Sequence, residues 1–502
     1  MQRNGTSFEF VGLQKSDAPD VLIVPLVSKP APALERLSHA DRLCAGAVST
    51  LCRAAPPGDE LGQIVHTAAA AGPIPRVILV SLGPAERLDP ARVRTAAAGA
   101  ARWLIAERVR SAALWVDGLL SAPEDGVCEW VVGMTLAGFR FDEMRTPESR
   151  APARIRVQLA ATADGFERGA RSAIRAALIE AQCVNYARRL AHLPANVIQP
   201  QSLAQEARRL ARECRLRCEI LQPPALERLK MGGLLAVGRG SKVKPCLIRM
   251  EYRGNPRSKV THVLVGKAIT FDTGGYSIKA NDFMISMKYD KSGGCAVLGV
   301  MRAVAQLKLR CNVTALIAAA ENMISHDAYR PGDILTMMSG KTVEIISTDA
   351  EGRLVLADAL WYAQTRLNPA TLIDVATLTG GVRTTFGTVA AGLMSTDDEL
   401  AADLGEAGRR THERLWRLPL WDEYRELIKA HDADIRNSAG RPEAHAIVGG
   451  MFLKEFVRPP TAWAHLDIAA VANRDDPKLP TGRGASGFGV RLLVEFLRRR
   501  SL

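Results

Sequence analysis

The sequence predicts an α/β protein of two domains, each a mixed sheet flanked by helices, with the C-terminal domain the larger. Three observations carry this. The chain has 502 residues, too many for one ordinary core, and 47% of them are hydrophobic. Apolar runs of strand length alternate with segments of helical spacing. One long helical pattern divides that alternation, giving an N-terminal α/β domain at 1–165, a connecting helix at 166–193 and a second domain at 194–502.

The elements justify themselves in order. Residues 20–27, 77–82 and 112–116 are short runs rich in Val, Leu and Ile and read as buried strands. Between the last two, Val93, Ala97, Ala100, Ala101, Leu104 and Ile105 form one apolar stripe of a helix from Pro90 to Arg110, and proline suits a first helical turn. Residues 154–159 are a further strand. The connecting helix is predicted from about Gly165 to Leu193, with Phe166, Ala170, Ile174, Ala177 and Ala181 on one face. Ser202 is expected to cap the next helix, with Gln205 completing a capping box. In the second domain, 261–265, 313–318, 343–346 and 371–375 are strand candidates. Helical patterns run from Cys295 to Leu307 and from Leu354 to Leu367. In such folds ligands gather beyond the strands' C-terminal ends.

Composition narrows the function classes. Nine dispersed cysteines with no CxxC pair suit a reducing compartment better than a disulfide framework. The start shows no secretory signal and no apolar run spans a bilayer, so a cytoplasmic protein with no membrane partner is expected. The net charge is +13, with the surplus beyond the first third, which leaves nucleic acid or acidic partners open.

Chemistry concentrates in Ser347-Thr-Asp-Ala-Glu-Gly-Arg-Leu354. If that stretch is extended, alternation sends Asp349, Glu351 and Arg353 to one face. Two acids on one face ask for a cation between them, against the bland alternative of a surface ion-pair cluster. Lys267 at the end of an apolar strand, Asp272 before Gly274-Gly275, and Asp290 before the helix from Cys295 add to the set. Alone, Lys267 reads as a paired lysine and Asp290 as a helix cap. Together, Asp272, Asp290, Asp349 and Glu351 are four acids with no histidine among them, a donor set for Mg, Mn or Zn. Four acids exceed what one ion needs and suggest two.

The motifs Gly266-Lys-Ala-Ile-Thr-Phe-Asp-Thr-Gly-Gly275, Met287-Lys-Tyr-Asp290, Ser347-Thr-Asp-Ala-Glu-Gly-Arg-Leu354, Asp374-Val-Ala-Thr-Leu-Thr-Gly380 and Trp463-Ala-His-Leu-Asp-Ile468 resemble those of the leucine (cytosol) aminopeptidases. The resemblance covers the second domain, and the layout is most like the bacterial aminopeptidase A branch. It implies a C-terminal peptidase domain carrying two divalent ions, Mn or Zn. One would be held by Lys267, Asp272, Asp290 and Glu351, the other by Asp272, Asp349 and Glu351. It implies a metal-activated water attacking the scissile carbonyl of a peptide, with Lys279 stabilising the oxyanion and Arg353 holding a bicarbonate as general base. Met287 would line an apolar pocket for a first residue such as leucine, with a core methionine as the alternative. The resemblance further implies a homohexamer. A DNA-binding accessory or regulatory role, known among bacterial relatives, and an inactive scaffold are the alternatives. The chain departs from the family pattern at Ala268, Tyr276, Lys291, Cys295 and Ser347, and the stretch after Asn437 is loose against it. Lys291, a cation next to Asp290, is expected to weaken metal binding or to point outward to an acid.

Overall fold

The computed structural model describes residues 5–12, 18–30, 34–117, 119, 123–146, 154–160 and 167–501. The chain divides into two compact units, one of residues 1–185 with 475–483 and one of residues 186–474 with 484–502.

The first unit holds a six-stranded sheet of β1 (Ser7–Gly12), β2 (Val21–Leu26), β3 (Ile64–Ala68), β4 (Arg76–Ser81), β5 (Ser111–Trp115) and β6 (Arg154–Ala160). The strand order is β1-β6-β5-β2-β4-β3, parallel except for β3 against β4. All six residues of β2 are buried, as its uninterrupted apolar run predicts for a strand covered on both faces. The helix Pro90–Ala106 starts on Pro90, and the Asp89 side chain accepts from the Arg92 amide. Val93, Ala97, Ala100, Ala101 and Leu104 of the predicted stripe are buried, while Ile105 is half-buried.

The helix Glu167–His192 follows, and the division between the units falls within it. Gly165 and Phe166, the expected start of that helix, lie outside the described residues. The next helix is Pro200–Cys214, so Ser202 sits inside the first turn instead of capping it. Pro200 has its backbone angle already set for a helix and opens it early, and Ser202 Oγ accepts from the Gln199 amide at 2.8 Å.

The second unit adds β7 (Arg217–Leu221), β8 (Cys246–Arg253), β9 (His262–Asp272), β10 (Asn312–Asn322), β11 (Ile334–Thr336), β12 (Thr342–Glu344), β13 (Thr371–Ala376), β14 (Ala391–Ser395), β15 (Leu415–Arg417), β16 (Ile435–Arg436) and β17 (Trp463–Asp467). Its main sheet runs β15-β14-β17-β13-β9-β10-β8-β7, with a parallel centre of β17, β13, β9 and β10. A small sheet, β11-β12-β16, stands apart. Helix Gly352–Leu367 packs over one face of β9, where it joins Val263, Val265 and Ile269 in a single core. Helix Ser292–Leu307 packs on the other face, where Gly294 meets Gly266 and Ala268. A Cβ on Gly294 would lie 2.8 Å from the Ala268 methyl, so this glycine makes the room that Ala268 occupies.

Candidate metal centre

β9 extends well past the predicted 261–265, because its residues through Thr270 are buried and stay paired with β10. Lys267 and Asp272 therefore lie within the central strand itself. Asp290 follows the short turn Met287–Tyr289, where Met287 is half-buried. It does not cap the helix it precedes; its carboxylate accepts from Thr377 Oγ1 at 2.7 Å.

The stretch 347–354 is not extended, which corrects the alternation expected of it. Residues 348–349 form a turn, and a helix begins at Gly352 with Glu351 at its N-cap. Asp349 and Glu351 thus reach the site from a turn and from a helix end, and Arg353 is already helical. Two features shape this turn. Ser347 Oγ accepts from the Asp349 amide at 3.2 Å, the bond by which Ser or Asn closes such turns, so the departure at Ser347 keeps the local geometry. Asn437, next after β16 and fully buried, accepts from the Ile346 amide at 2.8 Å and donates to the Ser347 carbonyl at 2.6 Å.

The side chains then converge. Lys267 Nζ lies 2.9 Å from Asp290 Oδ1, 2.8 Å from Glu351 Oε1 and 2.9 Å from the Thr377 carbonyl, so its three N–H groups have three acceptors. Gly352 permits this approach, since a Cβ there would lie 2.6 Å from both Cε and Nζ of Lys267. Lys279 Nζ lies 2.9 Å from Asp272 Oδ2 and also pairs with Asp349. Carboxylate oxygens of Asp272, Asp290 and Glu351 come within 4.8 Å of one another, and all three residues are buried. Asp349 stands outside that tight group, more exposed and joined to it through Lys279. Asp272 Oδ1 is fixed by Asn322 Nδ2 and the Gly274 amide, both at 2.8 Å.

The electrostatics follow from burial. Desolvation, then repulsion from Asp272, holds the Glu351 carboxyl well above the usual range, although Lys267 opposes both. Burial raises Asp290 as well, against the pull of Lys267. Burial would lower the two lysines, but the surrounding carboxylates win and hold both above the ordinary value. Two oxygens, Asp290 Oδ2 and Glu351 Oε2, are buried with no hydrogen-bond partner among the described residues. Arg353 is buried, donates through Nη1 to the Asn437 carbonyl at 2.7 Å, and has Nε without such a partner. Desolvation lowers its pKa to about 10.

Lys291 does not point outward to an acid. Its fully buried ammonium turns to carbonyl oxygens, that of Leu193 at 3.0 Å and that of Lys288. Burial pushes its pKa down to about 8. Tyr276 is exposed with its hydroxyl on the Ser325 carbonyl, and Cys295 is a buried thiol. The histidines are structural or surface groups: His262 bonds Thr371, His465 bonds Asp374, and His326 is exposed. Asn437, Thr377 and Asn322 organise the centre and were not singled out as site residues by the sequence.

Residues 185–494 match the catalytic domain of the cytosol aminopeptidase family, and residues 23–148 match its N-terminal domain. The chain belongs to the cytosol aminopeptidase family. A probable cytosol aminopeptidase of Geobacter sulfurreducens is 41% identical over 470 residues, covering 92% of this chain and 93% of that protein. One from Roseiflexus castenholzii is 43% identical over 451 residues, covering 88% and 91%. Among solved structures, the bottromycin maturation enzyme BotP in complex with Mn superposes with a TM-score of 0.85 at 33% identity, covering 97% of this chain and all of that one. A mutant tomato leucine aminopeptidase gives a TM-score of 0.86 at 30% identity, covering 99% and 97%. As a cytosol aminopeptidase the protein is a peptidase hydrolase, with two α/β domains of the family's kind. Among the described residues no helix is long and apolar enough to cross a membrane.

Proposed function

We propose that the protein is a two-metal aminopeptidase that hydrolyses the N-terminal peptide bond of peptides, preferring apolar first residues such as leucine. The observation that carries this is the pair of buried, unpartnered oxygens, Asp290 Oδ2 and Glu351 Oε2, beside Asp272. Buried carboxylate oxygens without partners are costly, and a divalent cation relieves that cost. Carboxylates with one amine suit Mn or Zn, and the similar bottromycin maturation enzyme is a manganese complex.

On this reading one ion is held by Lys267, Asp272, Asp290 and Glu351, and the second by Asp272, Asp349 and Glu351. Bound there, the ions supply Lewis-acid polarisation of a carbonyl and a water nucleophile at neutral pH. Lys267 binds only as the neutral amine, so the proton its carboxylate neighbours retain must leave as metal enters. Lys279, a largely buried ammonium, is the donor for the developing oxyanion. Arg353, anchored by Asn437 with Nε unsatisfied, fits a small anion, and bicarbonate there is the general base the resemblance implies. Met287 is assigned to the pocket for the first side chain. A cytoplasmic homohexamer completes the reading. The presence of all seven site residues disfavours the scaffold alternative, and the balanced charge of the first third weakens the DNA-binding one. The test is turnover of Leu-p-nitroanilide with Mn, expected in the wild type and lost in Glu351→Ala. No turnover with any divalent metal by folded protein would overturn it.

A further inference from the structure

The turn after β13, Thr377-Leu-Thr379, carries no charge, yet it is bonded from both sides. On one side stands Asp467, the last residue of β17, opposite Ala376 in the parallel register and fully buried. Its Oδ1 accepts from the Leu378 amide and the Ala469 amide, both at 3.1 Å. Its Oδ2 accepts from the Thr379 amide at 3.1 Å and the Thr379 hydroxyl at 2.7 Å. Four donors fill the carboxylate, three of them from this turn, so it has little capacity left for further partners. On the other side Thr377 meets the metal centre twice. Its carbonyl accepts from Lys267 Nζ at 2.9 Å, and its hydroxyl donates to Asp290 Oδ1 at 2.7 Å.

The consequence lies in which oxygen each contact occupies. Asp290 Oδ1 is taken by the Thr377 hydroxyl and by Lys267, which leaves Oδ2 buried, unpartnered and available. A Lys267 amine bonded to the Thr377 carbonyl likewise has its direction fixed. Among the described residues no hydrogen bond or ion pair joins the turn to Asp349, which pairs with Lys279.

We propose that Thr377 is a positioning residue for one of the two ions, the one that Lys267 and Asp290 share, and that Asp467 positions Thr377 by clamping its turn. This rests on the two-metal reading above. A group that orients a metal ligand typically contributes 10–100-fold in affinity, whereas a turn clamp of purely structural use would leave the affinities alone.

The experiment is calorimetric titration of Mn²⁺ alone into chelator-stripped protein, comparing wild type with Thr377→Val, Thr377→Ser, Asp467→Asn and Asp349→Asn. The wild type should bind two ions. Thr377→Val should weaken one step by about 10–100-fold and leave the step that Asp349→Asn weakens within about twofold. Thr377→Ser keeps the hydroxyl and should restore the affected step. Asp467→Asn should move that same step, while thermal melts confirm that the variants are folded. The proposal is overturned if Thr377→Val shifts neither step, if it shifts both alike, or if serine does not rescue. Fewer than two ions in the wild type overturns the two-metal reading and this proposal with it.

Discussion

Asn437→Ala tests how the turn carrying Asp349 and Glu351 is held. The side chain bonds the Ile346 amide at 2.8 Å and the Ser347 carbonyl at 2.6 Å, with longer contacts to the Ser347 amide and the Ala350 carbonyl. It is fully buried, so water does not replace those bonds freely. Each lost bond that leaves a buried group unsatisfied costs about 1–3 kcal/mol, and two short ones give about 3 kcal/mol. In a domain of this size that lowers the melting temperature by roughly 5 °C. The larger effect falls on function, because the turn that the Asn437 side chain holds places two of the four acids, Asp349 and Glu351. Mn affinity and kcat/KM on Leu-p-nitroanilide should each fall about 10–100-fold. The assay is steady-state kinetics across a Mn titration. If both quantities stay within about twofold of wild type while the protein melts several degrees lower, Asn437 serves the fold alone and the reasoning fails.

Other consequences follow from single contacts. Gly352→Ala puts a Cβ within 2.6 Å of Lys267 Cε and Nζ, so Mn affinity should drop about 10–100-fold with helix stability unimpaired; unchanged affinity would contradict the close approach. Lys291→Met removes an ammonium that faces the Leu193 and Lys288 carbonyls, so Mn affinity, read by the same titration, should change by less than about threefold. Burial lowers the His262 pKa from 6.5 to about 4. Between those values the unfolded chain holds a proton that the folded chain does not, so stability is complete above pH 6.5 and falls as pH drops toward 4. From pH 7 to pH 5 this residue should remove about 2 kcal/mol, and His262→Gln should flatten the pH dependence of the urea midpoint by that amount.

How much of this was legible in the sequence depends on the range of the interactions. Central strands such as β2, β4, β5, β9, β10 and β13 show as apolar runs, because a central strand is buried on both faces, whereas the part-exposed edge strands β3 and β7 do not. β9 was read too short, because Lys267 and Asp272 look like a strand's end when only local hydrophobicity is weighed. The four acids could be named because charged residues in glycine-punctuated motifs stand out, while the roles of Lys267 and Lys279 came with the resemblance to the aminopeptidases. The arrangement of these groups could not be read. The stretch 347–354 would send its three charged side chains to one face only if extended, and the helix starting at Gly352 removes that condition. Asn437, Asn322 and Thr377 are neutral polar residues whose partners lie 90, 50 and 87 positions away, and no local periodicity marks such a bond. Lys291 looked like a threat to the metal because it is adjacent in sequence, yet its side chain leaves in another direction.

The central claim is that the buried acids and Lys267 form a centre for two divalent ions. Equilibrium dialysis of chelator-stripped protein against Mn²⁺ measures this directly. The account predicts two ions per chain in the wild type and loss of binding in Glu351→Ala, whose carboxylate serves both. A saturating content of one ion or none in folded wild-type protein would contradict it.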